Sequence, residues 1–318
     1  MIKNEIVMKV SVVIPLYNAE PFIGRCLDSI LNQTHRDIEI ILVDDVSKDA
    51  SLSIAEDYQK KYSSIKIIKH STNKGSMMSR RDGYMAATGE CLMFVDSDDA
   101  LPLDAVEKLV SKQVETNADI ILGNAVKIYV NGRRERLVDN VRANAKKLDF
   151  LKALLDEKAR RCLWGRLYRT SLFHDHELRN LENMTIYEDA CLLYQVAVNA
   201  ERIEPIDDFV YDYYENKASV TQRVYGKKQI ESIIMANSII YEVCQPFTQI
   251  SYDLQHRVAK TVFALYSEDM SIEEVKKLLK KHGMQKYGEF TTACKILKLA
   301  DWWFLIKRFV YVRTKLSK

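Results

Sequence analysis

Three carboxylates fall within four positions of the stretch MFVDSDDALP (93–102), namely Asp96, Asp98 and Asp99. Such a cluster repels itself unless a cation neutralises it. Hard oxygen ligands on a short loop suit Mg²⁺ or Mn²⁺, ions that reach a protein through one or two carboxylates while holding substrate phosphates. A divalent ion carrying a diphosphate is therefore the chemistry these residues point to. A lone Asp49 or Asn73 is accounted for by helix capping or a turn, but capping needs only one carboxylate. Neither GxGxxG nor GxxxxGK[ST] follows the first apolar run. That removes the dinucleotide loop and the P-loop NTPases, and leaves the phosphates to metal and side chains.

The acidic cluster closes one of four short, β-branched, nearly continuous apolar runs: VSVVIPL (10–16), IEIILV (38–43), IKIIK (65–69) and CLMFV (91–95). Runs of this kind form strands covered on both faces. Helix-length segments at about 20–32, 49–62 and 76–88 lie between them. The alternation argues for βαβ units and a parallel, doubly wound α/β sheet. In an open sheet of this type ligands sit beyond the carboxyl ends of the strands. Pro15, Tyr17 and Asn18, then Asp44 and Asp45, then Asn73, Lys74 and Gly75, and finally the acidic cluster would converge on one crevice. After Pro102 a helix of about 102–116 precedes IILGNAVKIYV, a strand or hairpin turning at Asn131-Gly132. The polar, Arg-rich passage 133–147 is expected as a flexible insertion, and 148–226 mixes helix with extended pieces such as DDFVYDYY. From 227 to about 281 the pattern is helical, with Pro246 as a break, so a boundary is placed near 226.

The 318 residues suffice for one large domain with an appendage or for two modest ones. With 47% hydrophobic and 29% charged residues, disordered and collagenous classes are excluded. Six cysteines without a CxxC pair fit a reducing cytosol. Residues 295–318 hold seven Lys or Arg against one Asp, so the remainder carries a net −3 although the whole chain is +3. Nucleic-acid binding is not expected from an acidic body and a tail this apolar. No apolar run reaches spanning length, and MIKNEIVMKV has charges where a secretory signal needs an apolar core.

VSVVIPLYNAEPFIGRCLDSILNQTHRDIEIILVDDVSKDAS, NKGSMMSRRDGYMAATGE and MFVDSDD together resemble the N-terminal half of the family 2 glycosyltransferases of GT-A fold. WGRLYRTSLF (164–173) and IYEDACLLYQV (186–196) resemble that family's later acceptor-side motifs, in the same order. The resemblance implies a mixed sheet flanked by helices. It gives a glycosyltransferase domain at 1–226, with a nucleotide-binding half at about 1–104 and an acceptor half at about 105–226, followed by a helical C-terminal region at 227–318. It implies that Pro15 and Tyr17 line the base pocket, that Asp45 bonds the base, and that Arg80 approaches the diphosphate. Asp96 would approach the ribose and donor sugar, and Asp98 would hold Mn²⁺ or Mg²⁺. Asp189 would be the base, with Glu188 shaping the acceptor site.

Those roles suit an inverting transfer from a nucleotide-sugar, normally a UDP-sugar, to a glycan or lipid-linked hydroxyl in bacterial surface polysaccharide synthesis. A carboxylate takes the acceptor proton while cationic groups stabilise the departing diphosphate. A nucleotidyltransferase on the same fold, or a non-catalytic sugar-nucleotide or glycan-binding protein, are the alternatives. Val46 stands where the family usually has Gly, so the turn is expected to form without a residue free to take φ > 0. Arg81 and Asp82, and Gly165 and Arg166, also depart from the usual residues.

Four further features carry weaker signals. HDH (174–176) has a metal-like composition, but i and i+2 do not share a helix face; a surface segment is expected. Trp164 and Tyr168 could stack on a sugar or pack in the core, and Ser219 and Thr221 lie where relatives contact phosphates. In the tail, Ile296, Leu299, Trp302, Trp303, Ile306, Phe309 and Val310 fall near helical spacing with basic residues interleaved. Such a helix favours an anionic membrane surface over docking on the protein's own core or a partner. The expected location is cytoplasmic, at the inner face of the membrane where the tail attaches.

Overall fold

The four apolar runs form β1 (Val10–Leu16), β2 (Ile38–Asp44), β3 (Ile65–Lys69) and β4 (Cys91–Phe94), all parallel and ordered β3-β2-β1-β4. This arrangement comes from a computed structural model that describes residues 8–179, 181, 182, 184–216, 227–251, 253, 254, 277, 280 and 281. Val12, Val13, Ile14, Ile41, Leu42 and Met93 have no exposed surface. Both faces are covered, which is why the runs are continuous rather than alternating. The crossovers are helices α1 (Ile23–Leu31), α2 (Ser51–Lys61) and α3 (Ser76–Met85). α1 buries Ile23, Cys26, Leu27 and Ile30, the i, i+3, i+4, i+7 set of one helix face. α3 approaches β1 so closely that a Cβ on Gly83 would stand 2.3 Å from Val13 Cγ1.

Beyond α4 (Ala105–Thr116) the sheet changes character. β5 (Ile120–Ile128) turns through Gly132, at φ 82°, into β6 (Arg134–Leu137). Helix α5 (Lys147–Leu155) precedes β7 (Arg166–Arg169), which inserts antiparallel between β4 and β5. Helices α6 (Ser171–His174) and α7 (Glu188–Ala197) then lead to β8 (Ile203–Tyr214), parallel to β5 along its other edge. The sheet is therefore mixed, as the resemblance implies, and its first four strands are the parallel part that the strand–helix alternation predicts. DDFVYDYY is the last eight residues of this twelve-residue β8 rather than a short piece. Its far end bridges to the loop after β4, where Ala100 N–H donates to Asp212 O (3.2 Å) and Asp212 N–H donates to Ala100 O (2.9 Å).

The passage 133–147 is not a flexible insertion. It carries β6, buries Asp139, and bridges Ala145 to Ile203. Asp139 accepts from Arg160 N–H (2.7 Å) and Nε (2.9 Å) and faces Arg166 Nη2 at 3.3 Å. Against its burial, the two guanidiniums hold its carboxyl below the usual range. The segment's own arginines bind outward, Arg142 to Asp149 (2.9 Å) and Arg133 over the Tyr129 ring (3.6 Å). A charged composition here marks ion pairing, not disorder.

The chain divides into two compact units, Met1–Arg223 and Val224–Lys318. In the second, α8 (Lys227–Cys244) is followed by a 3₁₀ turn at Thr248–Ile250, with Pro246 between them. No helix among the described residues is long and apolar enough to cross a membrane. Ser219, Thr221 and the tail 295–318 lie outside the described residues.

Candidate active site

The carboxyl ends of β1, β2 and β4 place Tyr17, Asp45 and the Asp96–Asp99 loop along one rim of the sheet. Pro15 is half-buried at the end of β1, and Tyr17 is 46% exposed beyond it. Asn18 accepts Lys48 N–H (2.8 Å) and joins the first loop to the second. In the second loop the turn keeps its positive φ, and Val46 adopts it at 66°. This corrects the expectation that no residue would take that conformation. A β-branched residue there is strained.

Asp45 is 2% exposed and works within the protein. Its Oδ1 accepts Lys74 N–H (2.7 Å) and faces His70 Nδ1 (2.7 Å), and its Oδ2 accepts Gly75 N–H (2.7 Å). Three of the four acceptor positions of a carboxylate are thus filled. Asn73 donates to Asp45 O (3.0 Å), and Gly75, at φ 87°, opens α3. One turn along α3 comes Arg80, 5% exposed.

Arg80 bridges the two halves of the site. Its Nη2 donates to Asp96 Oδ1 at 2.6 Å, and its Nη1 stands 3.2 Å from Asp189 Oδ1. The second contact lacks hydrogen-bond alignment, so Arg80 Nη1 and Asp189 Oδ1 are both buried without a hydrogen bond. Asp189 opens α7 behind Tyr187, itself at φ 65°, and Glu188 Oε1 accepts from Ser76 Oγ at 3.0 Å. Desolvation lifts the Asp189 carboxyl to about 7, Arg80 opposing while Glu188 and Asp96 add to the rise. That places a carboxylate near the operating range of a general base.

The three aspartates of the acidic loop have separate surroundings. Asp99 is fully buried and structural, its Oδ2 accepting Tyr211 O–H (2.8 Å) and its Oδ1 Tyr214 N–H (2.8 Å). It does not cap α4, whose N-cap is Asp104. Tyr211 Oη also accepts Asp96 N–H (3.0 Å). Asp98 Oδ2 accepts Asn216 Nδ2 (2.9 Å), and its carbonyl accepts Arg25 Nη2 (2.5 Å). Arg25 in turn lies 3.6 Å over the Tyr214 ring. Burial first, then Asp96, raises the Asp98 carboxyl, while the Asn216 bond opposes. Arg25, Tyr211 and Asn216 were missed in the sequence. Arg25 sits mid-helix with no motif around it, and Tyr211 is one aromatic in a strand of several.

Trp164 stacks on Tyr211 (4.7 Å) and Tyr213 (5.3 Å) of β8 and under Arg160 (5.0 Å), remaining half-buried. Tyr168 is wholly core, packed edge-on to Phe94 and Phe173. Gly165 takes φ 69°, and Arg166 is fully buried against Asp139. In HDH, His174 Nε2 pairs with Tyr84 O (2.7 Å) on the surface.

The family model for glycosyl transferase family 2 matches residues 11–176, a little more than half of the chain. EpsJ of Bacillus subtilis (strain 168), named as a glycosyltransferase, is 35% identical over 221 residues, covering 68% of this chain and 64% of EpsJ. A poly(ribitol-phosphate) beta-glucosyltransferase of Bacillus spizizenii (strain ATCC 23059 / NRRL B-14472 / W23) is 34% identical over 211 residues, covering 65% of this chain. The chain spans only 32% of that relative's length, and less than two thirds of EpsJ. Among solved structures, residues 1–349 of S. aureus TarS superpose with a TM-score of 0.66 at 23% identity, covering 90% of this chain and 81% of that one. The same TarS segment has been solved with UDP-GlcNAc, at a TM-score of 0.62, 21% identity and 92% coverage of both chains. The likeness to TarS establishes the GT-A fold, and the match of the family model establishes that this chain belongs to glycosyl transferase family 2.

Proposed function

We propose that the chain transfers a sugar, with inversion, from a UDP-sugar to a hydroxyl of a glycan or lipid-linked acceptor in bacterial surface polysaccharide synthesis. The observation that carries this reading is the Asp96–Arg80–Asp189 bridge, which joins the donor-side loop to the candidate base through one buried guanidinium. TarS binding UDP-GlcNAc supports the choice of donor, and the poly(ribitol-phosphate) relative supports a polymeric acceptor.

In this reading Tyr17 and Pro15 flank the base, and Asp45 offers its one remaining acceptor position to a base N–H. Asp96 contacts the ribose and donor sugar. Asp189 takes the proton from the acceptor hydroxyl as the new bond forms, with Glu188 and Trp164 shaping the acceptor side. A single base acting opposite the leaving group gives one displacement and hence inversion. Arg80 supplies positive charge where the diphosphate departs.

The acidic loop fits a divalent cation, because the Asp98 carboxyl is raised by burial and by Asp96 and a cation would relieve that. No cluster of three metal-ligating side chains exists among the described residues, so Asp98 would share Mn²⁺ or Mg²⁺ with substrate phosphates. A bound ion would supply charge for the leaving diphosphate. The tail 295–318 keeps its proposed role at an anionic membrane surface.

The test is nucleotide release from UDP-, GDP- and dTDP-sugars with Mn²⁺ and an acceptor panel. Asp98→Ala and Asp189→Ala are expected to abolish it. Wild-type turnover in both would overturn the assignment.

A further inference from the structure

We infer that His70 is a positioning residue of the nucleotide pocket, holding Asp45 and the loop of Asn73, Lys74 and Gly75 through charge-assisted hydrogen bonds. The inference rests on the reading that this crevice takes a nucleotide. His70 directly follows β3, its N–H donates to Asp44 O (2.9 Å), and its side chain is 2% exposed. Nδ1 lies 2.7 Å from Asp45 Oδ1, and Nε2 lies 2.9 Å from Asp82 Oδ2 on α3. An ionised carboxylate only accepts, so a ring nitrogen bonded to one carries the proton of that bond. Lys74 Nζ reaches the same Asp82 oxygen at 3.2 Å. Against partial burial, Lys74 and His70 hold the Asp82 carboxyl below its usual range, which keeps it an acceptor.

The ring therefore fastens the end of β2 to α3, and Asp45 is the link it acts through. With His70 on Oδ1 and two backbone amides on its oxygens, Asp45 has one orientation, and its last acceptor position is fixed in space. The neighbouring Val46, at φ 66°, gives an independent reason for such a clamp. A β-branched residue leaves that region unless its surroundings over-determine it. The fastening at Asp45 opposes relaxation of the turn.

Two isosteric variants separate the two bonds. Asn places its Nδ2 where the ring has Nδ1, so His70→Asn keeps the bond to Asp45. Gln places its Nε2 where the ring has Nε2, so His70→Gln keeps only the bond to Asp82. Calorimetric titration with UDP, GDP and dTDP in Mn²⁺, using whichever binds wild type, reads the difference. His70→Asn is expected within about threefold of the wild-type Kd, and His70→Gln weaker by about tenfold or more, the scale of one lost charge-assisted bond. Adding Val46→Gly to His70→Gln removes the strain and is expected to restore binding to within about threefold. Equal affinities for the two variants, wild-type affinity in His70→Gln, or no recovery in the double variant overturns the role of His70. No binding of any of the three nucleotides by folded wild type overturns the functional reading itself, and this inference with it.

Discussion

Replacing Arg80 with Gln removes the cation that faces the candidate base while keeping a polar, shorter side chain. Arg80 Nη1 stands 3.2 Å from Asp189 Oδ1. Two unit charges at that separation interact by about 1.3 kcal/mol in a water-like dielectric and about 5 kcal/mol at an effective dielectric of 20. The Asp189 side chain is 24% exposed, so the smaller value is a floor. It corresponds to about one pH unit. The Asp189 carboxyl lies at about 7, burial raising it and Arg80 pulling it down. Loss of Arg80 strengthens proton binding, so the basic form appears only at higher pH. The acidic limb of the kcat/KM profile, which reports the free enzyme, is expected to move up by about one unit or more. Overall activity also falls, because the departing diphosphate loses a partner, but the position of the limb is independent of its height. Arg80→Lys keeps the charge and should keep the limb near wild type. A Gln profile that overlays wild type in shape, or one shifted to lower pH, would refute the coupling between Arg80 and Asp189.

Three predictions concern the scaffold. Gly83→Ala puts a Cβ 2.3 Å from Val13 Cγ1 and 3.3 Å from Val43 Cγ2, and should destabilise by about 2 kcal/mol, read as a lower urea midpoint at unchanged slope. Val46→Gly alone should stabilise by about 1 kcal/mol, since relief of a left-handed β-branched residue outweighs the added chain entropy; a lower melting temperature would contradict the strain. Glu39 is 4% exposed and, against its burial, bonds from Ser11, Lys66 and Thr88 hold its carboxyl far below the ordinary 4.5. Its stabilisation is present above that value and is lost as pH falls below it toward the lowered folded one. Wild type should therefore lose stability faster than Glu39→Gln on acidification below about pH 5, in denaturant melts at stepped pH; parallel losses would remove Glu39 from the account.

The first half of the fold was legible because buried parallel strands write their burial directly as continuous apolar runs. All four began at the residue expected, and α1 to α4 lay inside the expected segments. The second half was not, because β7 is only RLYR and mixes two arginines with core residues. Arg166 is charged yet fully buried, its two terminal nitrogens meeting Asp139 and the carbonyls of Cys162 and Arg160. Such compensation is invisible until distant residues meet. The same holds for 133–147, where the partner of a buried aspartate lies some twenty residues on. At the site, the polar residues after each strand could be listed from the topology rule alone. Their division of labour could not, since Asp45 and Asp99 differ from Asp96 and Asp98 only in what surrounds them.

That division has a physical logic. Asp99 and Asp45 are both anchors, each held by donors from another element. Tyr211 and Tyr214 of β8 hold Asp99 by one bond on each oxygen, whereas His70 and the amides of Lys74 and Gly75 hold Asp45 and leave it one acceptor position. Both bury a carboxylate to fix a loop, a use that requires hydrogen-bond donors on the buried oxygens. Burial raises the Asp99, Asp98 and Asp189 carboxyls alike, but Asp99 has a donor on each oxygen, whereas Asp189 Oδ1 lies buried without a hydrogen bond. Pairing donor-bound anchors with less compensated neighbours lets the same residue type hold the backbone still while leaving charge demand where the proposed cation and proton would arrive.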